Sequence, residues 1–374
     1  MTRRILFITG TRADYGKLKS LMQAVETHPE FESHIYVTGM HTLEKYGYTA
    51  SEVTKDGYER VYTNINQHIG DKMEVVLANT VQGVSHYMHE LKPDMVVVHG
   101  DRIEALGATI VGALTNTLVA HIEGGELSGT IDDSIRHSIS KLAHIHFVCN
   151  EDASRRLHAM GEVKESIYEI GSPDYDLMFK EDLPSLGEVL SHYKIPFDDF
   201  GILLFHSVTT DAENFAVYSH EVVEAINQSG RNFVVIYPNN DEGSNHILEA
   251  FENLNCDRVK LFPSLSFERF IVLLKHCSLI IGNSSAGVRE APCYGVPTIN
   301  IGNRQNKRFK HVSIIDVDYS RLEILEAIKN NWAADFSDNK VNQFGSGDSA
   351  KKFISCIEDK AFWSTPIQKK SSDD

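Results

Sequence analysis

Short runs that are apolar at nearly every position, each closed by a polar turn and most followed by apolar residues at helical spacing, constrain this chain more than any other feature. Arg4 to Thr9, His34 to Thr38, Met95 to His99, Leu118 to Ile122 and His146 to Cys149 form the first series. A strand that is apolar on both faces has to be covered by helices on both sides, which is the signature of a parallel α/β sheet. Gly171-Ser-Pro173 ends the series. The stretch from Ser172 to Asp199, with Pro173, Pro184 and Pro196, reads as a connection holding one short helix. A second series of the same kind follows, with Gly201 to His206, Asn232 to Tyr237, Val259 to Leu261, Leu279 to Gly282 and Thr298 to Ile301. The pattern predicts two Rossmann-like doubly wound domains facing each other across a cleft. Their expected extents are 1–172 and 200–374, joined by a linker over 173–199, with the last helix free to pack back on the N-terminal domain. The tail from Lys369 to Asp374 is expected to be disordered.

Composition narrows the function. With 374 residues and 42% hydrophobic content the chain can fill two ordinary cores. A formal charge of −16 excludes a general nucleic-acid surface, so an anionic ligand has to find its positive charge locally. No run reaches the 18 or so apolar residues of a membrane span. The residues after Arg3 and Arg4 fall short of a secretory signal, and the expected location is the cytoplasm. Cys149, Cys256, Cys277, Cys293 and Cys356 are scattered, without metal-type spacing, and read as reduced thiols.

The loops after the strands hold the reactive side chains. His121-Ile-Glu-Gly-Gly-Glu126 ends a strand with a carboxylate, Glu123, before two glycines, and the carboxyl ends of parallel strands are where such sheets bind ligands. Asp132 and Asp133 then open a helix over Ser134 to Leu142. Either can be an N-cap, and the i,i+4 pairs Asp132–Arg136 and Asp133–His137 can be ordinary surface ion pairs. Gly10-Thr-Arg-Ala-Asp-Tyr-Gly-Lys17 lacks dinucleotide GxGxxG spacing; Arg12 and Lys17 there suit a phosphate or a sugar hydroxyl, with a surface position the plainer reading for Lys17. His99-Gly-Asp-Arg-Ile-Glu104 offers Asp101 and Arg102, with Asp101 readable also as a helix cap. Gly282-Asn-Ser-Ser-Ala-Gly287 has the make-up of an anion nest before a helix, and Glu290 within that helix suits the two hydroxyls of a ribose. Arg304, Lys307 and Arg308 follow the next strand, the last two reading as a solvated basic turn. His206 is either a ligand contact or a satisfied core histidine.

Taken in order, GTRADYGKL, HGDR, HIEGGELSGTIDDSIRHSISKLAHIH, YPNND, GNSSAGVREAP and GNRQ resemble the hydrolysing UDP-N-acetylglucosamine 2-epimerases of sialic acid synthesis, over nearly the whole chain. The resemblance implies a glycosyltransferase-B-like fold, with UDP on the C-terminal domain and the sugar against the N-terminal one. It implies catalytic carboxylates at Asp101, Glu123 and Asp132, and substrate contacts at Arg12, Lys17, Arg102, His206, Ser284, Ser285, Glu290 and Arg304. The family's non-hydrolysing relatives carry other residues around the strand-end glutamate.

The chemistry so implied needs several acids. Removing the C2 proton is feasible when UDP leaves C1 in the same anti-elimination, giving a 2-acetamidoglucal; water and a proton then add from the opposite face. Cationic side chains and helix N-termini stabilise the leaving diphosphate, so no metal and no cofactor is expected. UDP-N-acetylglucosamine and UDP are the expected partners, in a homodimer or homotetramer with no nucleic acid and no membrane. A glycosyltransferase of the same architecture, or the same reaction on UDP-2,4-diacetamido-trideoxy-glucose, are the rival readings.

Overall fold

In the computed structural model, residues 2–306 and 308–370 are described. They form two compact units. The first comprises the described residues of Met1–Glu126, Asp132–Lys180 and Phe344–Asp374, and the second Leu127–Ile131 and Glu181–Gln343.

The first unit is built on seven parallel strands: β1 (Arg3–Thr9), β2 (Phe31–Val37), β3 (Val61–Thr63), β4 (Met95–His99), β5 (Leu118–Ile122), β6 (Ile145–Val148) and β7 (Ile167–Glu169), in the order β3-β2-β1-β4-β5-β6-β7. Successive strand residues face opposite sides. Ile5 and Phe7 of β1 pack with Leu18, Leu21 and Val25 on one side, whereas Leu6 and Ile8 pack with Val84, Val96 and Val111 on the other. That double burial is the physical origin of the unbroken apolar runs. β3 and β7 are short, half-exposed edge strands without such a run, and sequence pattern missed both. The order changes direction between β1 and β4, the point at which sheets of this kind bind ligands beyond their carboxyl ends.

The end of the chain belongs to this unit. Helix Ser349–Glu358 lies against helix Arg12–Glu26, and Phe353, Ile357 and Phe362 enter the same core as Phe7 and Phe147. The tail is not loose where it is described: Lys369 is held by three hydrogen-bonding or ionic partners, contrary to the disorder expected from its polar composition. Residues 371–374, the rest of that expectation, lie outside the described residues.

The second unit has six parallel strands: β8 (Gly201–Leu204), β9 (Phe233–Ile236), β10 (Val259–Phe262), β11 (Leu279–Gly282), β12 (Thr298–Ile301) and β13 (Ile314–Val317), ordered β10-β9-β8-β11-β12-β13. Its core gathers Leu203, Phe205, Val222, Phe233, Ile281, Ile299 and Ile328. The change of direction falls between β8 and β11, which pair directly, Leu204 opposite Gly282.

Candidate active site

In the first unit the loops after β1, β4 and β5 gather the charged side chains. Glu123, one residue beyond β5, has φ +62, a left-handed conformation that strains any residue carrying a Cβ and is seldom kept without a reason. Its N–H donates to the Phe147 carbonyl at 2.9 Å, which fixes the turn from the β6 side. The two glycines that follow are explained by packing. A Cβ on Gly124 would lie 3.0 Å from the His121 ring, and one on Gly125, where φ is +75, would strike the Ala153 carbonyl at 2.4 Å.

The Glu123 carboxylate is only 3% exposed for the residue as a whole, yet cations and donors ring it. Ser172 Oγ donates to Oε1, His99 Nε2 lies 3.2 Å from Oε2, and Lys17 Nζ is 3.6 Å from Oε1. Lys17 also pairs with Asp174 Oδ2 at 3.1 Å. Lys17 is therefore buried, correcting the surface position that a lone lysine suggests: its place in the second turn of helix Arg12–Glu26 turns it inward over the strand ends. Ser172 and Asp174 were missed, because Gly171-Ser-Pro173 has the composition of a linker. Asp174 opens the short helix Asp174–Met178, which belongs wholly to this unit.

Asp101 does not cap the helix after it. Helix Ile103–Leu114 has Arg102 at its N-cap with no side-chain cap bond, and Asp101 instead receives Arg136 Nη2. The other guanidinium nitrogen, Nη1, donates to the Glu123 carbonyl at 2.8 Å. Arg136 thus bridges two neighbouring strand-end loops, those of Glu123 and Asp101. Asp132 and Asp133 lie inside the first turn of helix Ile131–Leu142, both half-buried, and Asp133 makes the expected pair with His137 at 3.4 Å. Arg102 lies 3.6 Å from the buried Glu104. Arg12 is held by Glu52, Nε donating to Oε2 at 2.7 Å.

Beneath these groups His121 is fully buried, and desolvation holds its pKa well below the usual value, so the ring is neutral. Nε2 lies 2.8 Å from the Gly100 carbonyl, which can only accept, so the proton is on Nε2 and Nδ1 accepts from Ser140 Oγ at 3.1 Å. This bond secures the tight turn at Gly100, φ +69, that presents Asp101.

In the second unit the organiser is Asn283, which sequence reading passed over as one small residue among several. Its side chain brackets the main chain of His206: Oδ1 accepts from His206 N and Nδ2 donates to His206 O, both at 2.8 Å. Its own carbonyl accepts Gln305 Nε2 at 2.7 Å and Arg304 Nη1 at 3.2 Å. One fully buried asparagine therefore ties together the loops after β8, β11 and β12. Gly282, with φ +130, allows the approach, since a Cβ there would lie 1.9 Å from the Leu204 carbonyl. His206 is buried, and its Nδ1 accepts from Asn239 N at 3.1 Å, leaving the proton on Nε2. Ser284 caps helix Ser285–Arg289 through the Ala286 amide, Ser285 is half-buried beside it, and Glu290 is buried where that helix ends. Arg308 is no solvated turn residue: its Nε donates to the Leu127 carbonyl at 2.7 Å. Gly129 of the same segment sits so close to the Asn303 carbonyl that a Cβ would come within 2.7 Å. Lys307 lies outside the described residues.

Among the described residues no group of three or more His, Cys, Asp or Glu is arranged to hold a metal ion, and no helix is long and apolar enough to cross a membrane. Comparison with known proteins supplies the context. Residues 23–358 match the family described as UDP-N-acetylglucosamine 2-epimerase. A UDP-N-acetylglucosamine 2-epimerase of Neisseria meningitidis serogroup B is 48% identical over 99% of both chains. A UDP-N,N'-diacetylbacillosamine 2-epimerase (hydrolyzing) of Legionella pneumophila is 31% identical over 88% of this chain and 89% of the relative. Among solved structures, a UDP-GlcNAc 2-epimerase from Neisseria meningitidis bound to UDP-GlcNAc superposes with a TM-score of 0.77 at 17% identity, over 95% of this chain and 99% of that one. One from Methanocaldococcus jannaschii, in complex with UDP-GlcNAc and UDP, gives 0.76 at 19%, over the same shares. The two helix-covered parallel sheets are thus the glycosyltransferase-B-like architecture, and the chain belongs to the UDP-N-acetylglucosamine 2-epimerase family.

Proposed function

We propose that this protein is a hydrolysing epimerase that converts UDP-N-acetylglucosamine and water to N-acetylmannosamine and UDP. The observation that carries the reading is Glu123: a strained, buried carboxylate beyond β5, ringed by Lys17, His99 and Ser172 and tied through Arg136 to Asp101. Strain and buried charge at a strand end are costs that a merely structural loop has no need to carry.

In the proposed reaction a carboxylate takes the C2 proton while the C1–O bond to UDP breaks on the opposite face, leaving a 2-acetamidoglucal. Water then adds its oxygen to C1, and C2 is reprotonated on the other face. Asp101, Glu123 and Asp132 are assigned these proton transfers and the activation of water. Arg12, Lys17, Arg102, His206, Ser284, Ser285, Glu290 and Arg304 are assigned to the substrate, with the diphosphate charge met by arginine and by main-chain amides. Because those cations do the work of an ion, full turnover is expected in excess EDTA.

The test is incubation with UDP-N-acetylglucosamine in deuterated water, followed by NMR of the products. The expected result is N-acetylmannosamine carrying deuterium at C2, with one UDP released per sugar. Product without deuterium at C2 would exclude elimination. The 31% identity to a hydrolysing diacetylbacillosamine epimerase makes the 2,4-diacetamido sugar nucleotide the competitor to run alongside; preferential turnover of it would move the assignment to that substrate.

A further inference from the structure

The described end of the chain carries a charge that the proposed reaction does not use. Lys369 Nζ donates to the main-chain oxygens of Ser140 at 2.7 Å and Ala143 at 2.6 Å, and lies 2.5 Å from Glu162 Oε2. An ammonium group has three N–H donors, and here all three find acceptors. Ile367, two residues earlier, is fixed as well, its carbonyl lying 3.1 Å from His144 Nε2. Glu162 is fully buried and shared: Lys141 Nζ is 2.8 Å from Oε1 and His146 Nε2 3.0 Å from Oε2. Burial works to raise its pKa, but the bonds from His146, Lys141 and Lys369 outweigh it and hold the carboxyl at about 2, permanently ionised.

The place of these bonds is what gives them meaning. Ser140 and Ala143 stand at the carboxyl end of helix Ile131–Leu142, where main-chain oxygens lack helical partners and the dipole favours a cation. The same helix carries Asp132 in its first turn and Arg136 in its second. From Ser140 the chain of contacts runs through Oγ to His121 Nδ1 and from His121 Nε2 to the Gly100 carbonyl, next to Asp101. We propose that Lys369 is a positioning residue for the acid–base groups, clamping the carboxyl end of helix Ile131–Leu142 so that Arg136 and the Gly100–Asp101 turn keep their register. The inference rests on the reaction proposed above. It assigns a role to a side chain more than 200 residues from the groups it positions, as the Lys369–Ser140 separation of 229 shows.

The decisive variants are Lys369→Met and Lys369→Arg in the full chain. The first keeps the length and removes the cation; the second keeps the cation. With Lys369→Met, kcat is expected to fall about tenfold at nearly unchanged KM, since small displacements of catalytic groups cost turnover more than binding. Lys369→Arg should stay close to the natural enzyme. Hydrogen exchange of the last-turn amides of helix Ile131–Leu142 should speed up in Lys369→Met alone. A purely structural tail would instead lower the melting temperature and leave kcat per folded molecule unchanged, which overturns the proposal. If Lys369→Met does not fold, Lys369→Gln decides, because it removes the cation from the helix end while keeping an N–H donor for the main-chain oxygens. A loss of kcat there supports the clamp and an unchanged kcat overturns it. An inactive natural enzyme would overturn the proposed reaction, a result distinct from an active enzyme indifferent to Lys369→Met.

Discussion

Arg136 grips Glu123 by its main chain, Nη1 to the carbonyl oxygen at 2.8 Å, and through its other terminal nitrogen it holds the carboxylate of Asp101. A flat guanidinium can make both bonds at once in a fixed direction, whereas an ammonium offers a point charge. The two strand-end loops that carry these acids are therefore held at a set spacing by one residue on the following helix.

Arg136→Lys is expected to keep the charge and lose the spacing. Turnover should drop about 10²-fold, the scale of a misplaced catalytic group. UDP affinity should be largely kept, because His206, Ser284, Ser285, Glu290 and Arg304 in the second unit are untouched by the change. Steady-state kinetics with calorimetric UDP titration separates the two. Unchanged turnover would show that the Arg136 bridge is structural only.

Amide replacements test the acids themselves. Asp101→Asn, Glu123→Gln and Asp132→Asn keep shape and remove proton transfer, so each should cost at least ~10²-fold in turnover. A carboxylate needed only for hydration should, when replaced, release 2-acetamidoglucal together with UDP, which NMR of the product mixture reads directly. Near-normal turnover in all three would reduce them to caps and ion pairs.

What was legible in the sequence follows the length scale of the interaction. The central strands announced themselves because burial on both faces demands apolar residues at every position, and β1, β4, β5, β8 and β11 are of that kind. β3, β7 and β13 face solvent in part and carry no such run. Asp101 and Glu123 stood out by lying just beyond strand ends. Ser172, Asp174 and the burial of Lys17 did not, since they meet Glu123 only after folding: Ser172 lies 49 residues away, in a Gly-Ser-Pro stretch that a flexible connection would also use. Asn283 was hidden for a similar reason. Nothing local distinguishes an asparagine that bridges three loops from one that caps a turn.

Stability should fall as the solution is acidified, well before ordinary carboxylates titrate. Desolvation drives the His41 pKa down to about 3, and burial likewise lowers those of His121 and His146. These rings are neutral when folded and take up protons near 6.5 when unfolded, so the unfolded state binds more protons in between. Stability is then fully present above 6.5 and is lost as pH falls toward the folded-state values. Urea midpoints measured from pH 7 to pH 4 should decline steadily. His41 sits between Thr9 Oγ1 at 3.0 Å and Thr49 Oγ1 at 2.7 Å, so His41→Gln can keep a hydrogen bond while removing the titration. Its midpoint should vary less steeply with pH, and an identical slope would remove His41 as a contributor.

The nucleotide assignment is tested best at Asn283, which touches no proposed reacting atom. Asn283→Ala removes both bonds to the His206 main chain and leaves buried polar groups to find new partners, a cost of about 1–3 kcal/mol for the loop cluster. The main-chain carbonyl of residue 283 survives the change, so Arg304 and Gln305 keep an acceptor while the loop after β8 loses its tie. UDP affinity should weaken about tenfold by calorimetry, and Arg304→Ala, which removes a proposed diphosphate contact outright, should weaken it further. Both variants should retain much of their kcat at saturating substrate, the opposite of the carboxylate set, because the binding they lose is common to ground and transition states. Unchanged UDP affinity in both would take the nucleotide away from the strand ends of β8, β11 and β12.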